Sequence, residues 1–338
     1  MKRRIAAGII ALAGFSLGAS LVVAPRDAWA DPTPPAPLRP PAGPPLPPPP
    51  PLPPVPPAPP LPPPPPRGGG TDGPVNQMTA AKPNGVVDID VPNGTVKVVA
   101  WNKSEVHVTG QLDRAELEMS TSADRTRVRV SGKRHHSEAE LEIHVPQGSR
   151  IEAKGVGTTI EVRDVTGALR LQSVSGDITV SGSPSDVDVH SVNGQVELNV
   201  KSAVVNARSI SGGVHVVGAR GRAMIDSVSG DCLLEGGDFT EVEMRAVSGD
   251  LRFTGGISGQ GSFEFKTHSG DVELRLPRAT NADFELRTFN GTLETRLGSE
   301  ARQSTSALDF RTGSGGAKVR GRTFNGDIRV EAKAEAKK

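Results

Sequence analysis

Ser173-Val-Ser-Gly-Asp-Ile-Thr-Val180, Ser191-Val-Asn-Gly-Gln-Val-Glu-Leu198 and Ser209-Ile-Ser-Gly-Gly-Val-His-Val216 are one phrase written three times. It returns at Ser227–Leu234, Ala246–Phe253, Thr267–Leu274 and Thr288–Thr295, with weaker copies at Gly155–Thr158, Thr312–Val319 and Thr323–Val330. The shared glycines are Gly157, Gly176, Gly194, Gly212, Gly230, Gly249, Gly270, Gly291, Gly315 and Gly326, spaced 19, 18, 18, 18, 19, 21, 21, 24 and 11 residues apart. A period near 20 with apolar alternation predicts an all-β repeat array, not an ordinary enzyme domain.

Two residues after the glycine stand Ile178, Val196, Val214, Cys232, Leu251, Val272 and Leu293, and four after stand Val180, Leu198, Val216, Leu234, Phe253 and Leu274. Upstream, Val187 and Val189, Val242 and Met244, Phe263 and Phe265, and Phe284 and Leu286 alternate with charged residues. This is the pattern of strands with one buried face. The residue three before the glycine is always small: Ser173, Ser191, Ser209, Ser227, Ala246, Thr267 or Thr288. It shares parity with the upstream buried set, whereas the downstream set has the opposite parity. The chain therefore turns a corner at Ser/Asn-Gly, where Asn and Gly tolerate positive φ.

A β-solenoid of strand–corner–strand rungs, period about 18–21, satisfies this parity flip. So does an antiparallel β-meander of Ser/Asn-Gly hairpins. Hairpin register would pair Lys266 with Glu273 and Arg287 with Glu294, while parallel stacking would align Glu243, Glu264 and Glu285, with Arg245, Lys266 and Arg287 alongside. Exposed pairs contribute only ~0.2–1 kcal/mol each. The unbroken column of small residues favours the solenoid, which is the expected fold.

Further sequence is specific to a family. Val91-Pro-Asn-Gly-Thr-Val-Lys-Val-Val-Ala-Trp-Asn102 with Glu105-Val-His-Val-Thr-Gly110 resembles the opening of the DUF4097 β-strand-repeat family of bacterial adhesin-like proteins. Leu141-Glu-Ile-His-Val-Pro-Gln-Gly148 and Ile151-Glu-Ala-Lys154 resemble its central segment, and the Ser-Val-Ser-Gly-Asp phrase its hallmark. The resemblance covers roughly Val86 to Val330 and implies an exported, repetitive β-structure with no known catalysis.

The N-terminus departs from that pattern. Lys2-Arg3-Arg4, the uncharged run Ile5 to Ala24, and Ala28-Trp29-Ala30 read as a signal peptide cleaved before Asp31, with an uncleaved anchor as the alternative. Pro32–Pro66 holds 24 of the 31 prolines and reads as an extended polyproline II spacer or a ligand for Pro-binding modules. At ~3.1 Å per residue it would reach on the order of 110 Å. The expected organisation is 1–30 signal peptide, 31–81 Pro-rich disordered linker, 82–150 N-terminal β-strand section, 151–330 β-repeat section and 331–338 charged tail. With 39 basic and 38 acidic residues, no Tyr and few other aromatics, the chain lacks the basic, stacking surface that nucleic acid requires. A single Cys forms no internal disulfide.

Each candidate site has an ordinary structural explanation. Asp177, Asp231, Asp250, Asp271 and Asp327 follow the repeat glycine, and Asp231, Asp250 and Asp271 would stack into a column able to hold Ca²⁺. Turn aspartates more commonly bond their own corner's backbone, and Gln195, Gly213 and Thr292 interrupt the series. Cys232 fills an apolar slot, where a thiol is an inert small hydrophobe. His135-His136 reads as a solvated hairpin tip, and His107, His144, His190 and His215 as solvated outward positions. Trp101 reads as a cap on the N-terminal end of the core.

No catalytic, cofactor-binding or metal-ligating residue is expected, and no cofactor. The chain reads as an exported, non-enzymatic structural or interaction module, periplasmic or at the cell surface. The alternatives are a periplasmic envelope-stress or signalling accessory and a polysaccharide-processing β-helix enzyme. Its partner would be an envelope or extracellular protein or a polysaccharide. Nucleic acid is not expected, and a membrane only if the signal segment is retained. The sequence leaves the oligomeric state open.

Overall fold

The computed structural model describes residues 73–132, 137–297 and 301–333. They fall within the compact unit Pro63–Lys338. The expected signal peptide, the stretch Pro32–Pro66, the pair His135-His136 and residues 334–338 of the charged tail lie outside the described residues. Every regular element described is a strand.

The chain opens with β1 (Gly73–Ala80), β2 (Val86–Asp90), β3 (Asn93–Trp101), β4 (Glu105–Asp113), β5 (Ala115–Ser122), β6 (Arg125–Gly132) and β7 (Glu138–Pro146). The regular repeat follows in β8 (Arg150–Gly155), β9 (Gly157–Arg163), β10 (Leu169–Ser173), β11 (Ile178–Gly182), β12 (Val187–Ser191), β13 (Val196–Val200) and β14 (Val204–Ser211). It continues in β15 (Val214–Ser229), β16 (Cys232–Ser248), β17 (Leu251–Lys266) and β18 (Val272–Leu276). The chain closes with β19 (Ala282–Asn290), β20 (Leu293–Thr295), β21 (Arg302–Ser304), β22 (Ala307–Thr312), β23 (Ala317–Asn325) and β24 (Ile328–Ala332).

These strands build two parallel walls of a solenoid. Strands β8, β10, β12 and β14 stack in the first wall, and β9, β11 and β13 in the second. Each of β15, β16 and β17 runs in the second wall, bends, and enters the first wall one rung further on. The register is strictly parallel, with Asp188 on Asn206 and Val196 on Val214. The hairpin pairing of a meander is not formed. Alternate residues of both walls point between them: Val187, Val189, Ile225, Phe263 and Phe265 from the first, Ile178, Val196, Cys232 and Leu251 from the second, all essentially inaccessible. Burying each Val or Leu contributes roughly 1.5–3 kcal/mol before chain entropy is counted, so the repeated alternation specifies the fold.

The order of rungs in space differs from their order in sequence at both ends. The last rung, β23 with β24, lies between β17/β18 and β19/β20. The first, β2 with β3, lies between β6/β7 and β8/β9. The expected column of Glu243, Glu264 and Glu285 is thereby corrected: Glu243 does abut Glu264, but Arg320 separates Glu264 from Glu285. A cation between two carboxylates relieves repulsion that strict sequence order would leave in place.

Antiparallel strands cover both ends. At one end β4 pairs with β7, β1 with β4, and β5 with β6; at the other β22 pairs with β19, and β21 with β20. Such caps occupy rung edges that would otherwise template further pairing. Strand β1 falls inside the 31–81 stretch expected as linker. It is held by in-register pairing from Gly73–Leu112 to Ala80–Glu105 and by burial of Val75. Two glycines of the proposed series are also reassigned. Thr158, not Gly157, is level with Gly176, because Ile160 pairs with Ile178. Gly315 lies between β22 and β23 with φ +75°, so the next true corner after Gly291 in sequence is Gly326.

Two outcomes are expected. Cysteines replacing Lys266 and Arg322, which are level neighbours, should crosslink on oxidation, since in-register strands lie ~4.8 Å apart. The pair Lys266→Cys with Arg287→Cys, two rungs apart because Arg322 lies between, should not; the reverse result would restore sequence order. In thermal melts, Leu251→Asp should lower the melting temperature severely, because it leaves a buried charge unpaired. Arg252→Asp, on the outer face, should change it little.

Candidate functional site

Each rung passes from the first wall to the second at Ser/Asn-Gly, and these corners stack into columns. The innermost column lies three residues before the glycine and is buried: Ser173, Ser191, Ser209, Ser227, Ala246, Thr267, Thr323 and Thr288. Only small side chains fit, and the threonines also bond the adjoining rung. Thr267 Oγ1 donates to the Gly249 carbonyl at 3.2 Å, Thr323 to Gly270 at 3.1 Å, and Thr288 to Gly326 at 3.0 Å. The glycine column is equally constrained. A Cβ on Gly249 would stand 2.3 Å from the Gly230 carbonyl oxygen, and one on Gly270 2.1 Å from that of Gly249. Both glycines hold φ near +150°, which L side chains rarely adopt.

The residue two before the glycine points outward, since strand faces alternate. It is apolar in every rung but one. Parallel register lines up Val156, Val174, Val192, Ile210, Val228, Val247, His268, Phe324 and Phe289 as a continuous ridge. Val156 is 57% exposed, Ile210 49% and Phe289 68%. At the far end the rings lie nearly parallel. Phe289 and Phe324 have centroids 4.8 Å apart at 4°, and Phe324 and His268 5.0 Å apart at 8°. Alternation alone would make these positions polar; a ladder this long is an exposed apolar patch of the kind that marks an interaction site.

Beside the ridge, four residues before the glycine, stand Lys154, His190, Arg208, Arg245, Lys266, Arg322 and Arg287, interrupted by Gln172 and Asp226. Ridge and basic row border an open groove of about 520 Å³ floored by the small residues Gly155, Ser173, Ser191 and Ser209. The cations are partly neutralised by neighbours: Lys266 by Glu264 at 2.6 Å, Arg208 by Asp226 at 3.4 Å and Arg287 by Asp309 at 2.5 Å. Lys266 holds the Glu264 carboxyl below its ordinary range.

Across the glycines lies the aspartate column. Asp231, Asp250 and Asp271 stack as the sequence suggested, and rung insertion adds Asp327. Their bonding differs from the expected own-corner pattern, because each carboxylate accepts the backbone N–H of the next rung. Asp231 Oδ1 takes that of Asp250 at 3.0 Å, Asp250 that of Asp271 at 3.0 Å, Asp271 that of Asp327 at 2.8 Å, and Asp327 that of Thr292 at 2.9 Å. The second oxygens meet arginines: Asp250 lies 3.2 Å from Arg252, and Asp327 2.7 Å from Arg329. The Thr292 backbone bond is the main cause holding the Asp327 carboxyl below the usual range. Among the described residues no group of three His, Cys, Asp or Glu side chains is placed to share a metal ion.

Cys232 lies in β16, Trp101 in β3, His107 in β4, His144 in β7 and His190 in β12. Burial pushes the Cys232 thiol up to about 12, so it stays protonated and unreactive at neutral pH. Trp101 donates its indole N–H to the Glu105 carbonyl at 2.9 Å and stacks on His144 at 5.1 Å and His107 at 5.9 Å. Lys103 Nζ lies 4.6 Å above the indole ring. His107 and His144 are therefore packed against the tryptophan, not simply solvated, because β4 and β7 are antiparallel neighbours that place them directly opposite. His190 hydrogen-bonds Asp188 at 3.1 Å.

The Toastrack DUF4097 family model matches residues 87–331. The chain belongs to this family. No curated protein matches it. Among solved structures, a "putative adhesin" from Parabacteroides merdae is 9% identical, with 78% of this chain and 97% of that one covered at a TM-score of 0.46. Another "putative adhesin", from Bacteroides fragilis, is 13% identical over 77% of this chain and 98% of its own, with a TM-score of 0.40. A "putative cell adhesion protein" from Clostridium sporogenes is 9% identical over 77% and 100%, with a TM-score of 0.26. In this Toastrack chain the corner columns set the register, and the ridge and groove are what they present outward.

The aspartate ladder has a pH signature. Because the Asp327 carboxyl is depressed in the folded chain, its contribution is fully present above the ordinary carboxylate pKa of about 4 and is lost as pH falls through the folded value. Asp327→Asn should lower the melting temperature at neutral pH and flatten its fall between about pH 5 and pH 2. An unchanged acid limb would remove Asp327 from the ladder's energetics.

Proposed function

We propose that this Toastrack-family chain is an exported, adhesin-like interaction module that presents a rigid β-solenoid to a partner at the bacterial envelope and performs no catalysis. The observation that carries this reading is the ridge from Val156 to Phe289 with its adjoining groove. A soluble surface rarely holds apolar side chains in continuous register over many rungs unless something covers them. Neighbouring rungs from Gly176 to Gly249 differ by at most one residue in length, which favours a long, even surface over the looped cleft that a polysaccharide-processing site needs. Export rests on the basic, apolar and Ala28-Trp29-Ala30 segments in 1–30, and reach on the Pro-rich stretch after them.

Cosedimentation of the purified chain with envelope sheets tests the reading. Ile210→Lys together with Val228→Lys should reduce the bound fraction about tenfold while leaving the melting temperature near that of the parent, since both side chains are outward. Equal binding by parent and variant would rule out the ridge as the contact surface.

A further inference from the structure

We infer that the ridge of this chain is covered by a second copy of the same chain, the two solenoids lying side by side and parallel. This deepens the interaction reading and rests on it. The first argument is charge placement. On one side of the ridge stand Arg245, Lys266 and Arg322; on the other, in the same rungs, stand Asp250, Asp271 and Asp327. A two-fold axis along the solenoid swaps left for right and keeps every rung level, so each basic row meets the acidic row of the other copy. A two-fold axis across the solenoid keeps left on left, and would set basic row against basic row.

Shape supports the same arrangement. The axis that pairs basic with acidic rows also lays ridge beside ridge at the same rung levels, a contact of like with like as an isologous interface demands. Parallel alignment also sets Phe289, Phe324 and His268 of each copy level with their own counterparts, so that the outer edges of the two ring ladders face each other. Rungs ~4.8 Å apart and residues ~3.3 Å apart along a strand give the strip from basic row to acidic row a length of about 40 Å and a contour of about 16 Å around the corner. Covering all of it in both copies would remove at most roughly 1,300 Å², at the lower edge of the class of specific interfaces. Both Gly73 residues then lie at the same end, where β1 caps the array.

The full chain should show a concentration-dependent monomer–dimer equilibrium in sedimentation velocity over a roughly hundredfold concentration range. Arg245→Asp with Lys266→Asp should weaken the dimer about tenfold or more. Orientation is read by oxidation of single cysteines on exposed ridge positions, against the buried Cys232 as silent background. Phe289→Cys should crosslink to itself, and so should Val156→Cys at the opposite end. A Phe289→Cys chain crosslinking only to a Val156→Cys chain would overturn the parallel arrangement. A chain that stays monomeric throughout the range, with no self-crosslink at either end, would overturn the dimer altogether. In that case, continued loss of envelope binding by Ile210→Lys with Val228→Lys would leave the interaction reading standing with another partner.

Discussion

The close approach of one rung's backbone to the next at the glycine corner sets everything else in this structure. With the Gly230 carbonyl oxygen only 2.3 Å from where a Cβ on Gly249 would sit, a larger residue would push the rungs apart and break the parallel ladder on both walls. The neighbouring columns follow from this contact. The buried position must be small because the corner is tight, the aspartate after the glycine is held where its carboxylate meets the next rung's N–H, and the residue two before the glycine is forced outward. The outward direction of the ridge is thus set by packing constraints at the corner, and the sequence fills it with Val, Ile, His and Phe where polar side chains would also fit.

The walls of the solenoid were legible because burial has a period of two and the corner reverses it. Val187, Val189, Ile178 and Leu251 lie where alternation placed them, and the small-residue column correctly argued for stacking over hairpins. What sequence order concealed was rung order. Local alternation says which face of a strand is buried, but it carries no information about which rung lies above which; that depends on charge and edge complementarity between distant segments. Arg320 between Glu264 and Glu285 is the residue that could have signalled it, since strict order left three glutamates in line. Val75, apolar within a short alternating run after the glycines at 68–70, was the corresponding sign that β1 belongs to the β array.

The candidate surface was half visible. The phrase Ser-Val-Ser-Gly places a valine next to the buried small residue, and strand alternation turns that valine outward. The same parity that buries the small residue puts a line of apolar side chains in solvent one position on. The aspartates stand out in the sequence for the opposite reason, as a charged column suited to a cation. Their oxygens instead serve backbone N–H groups and arginines, which is a common fate of acidic residues at repeat corners.

Rung insertion at the two ends bears on how such an array could lengthen over evolutionary time. Units of 18 or 19 residues in the middle, between Gly176 and Gly249, contact only their neighbours, so duplication or loss of one would leave its surroundings intact. The end rungs offer no such freedom: a unit appended after β24 would emerge beside an interior rung, with the outer position already filled by β19 and β20. The end rungs are therefore closed to simple extension, whereas the centre of the array could be copied without disturbing its surroundings.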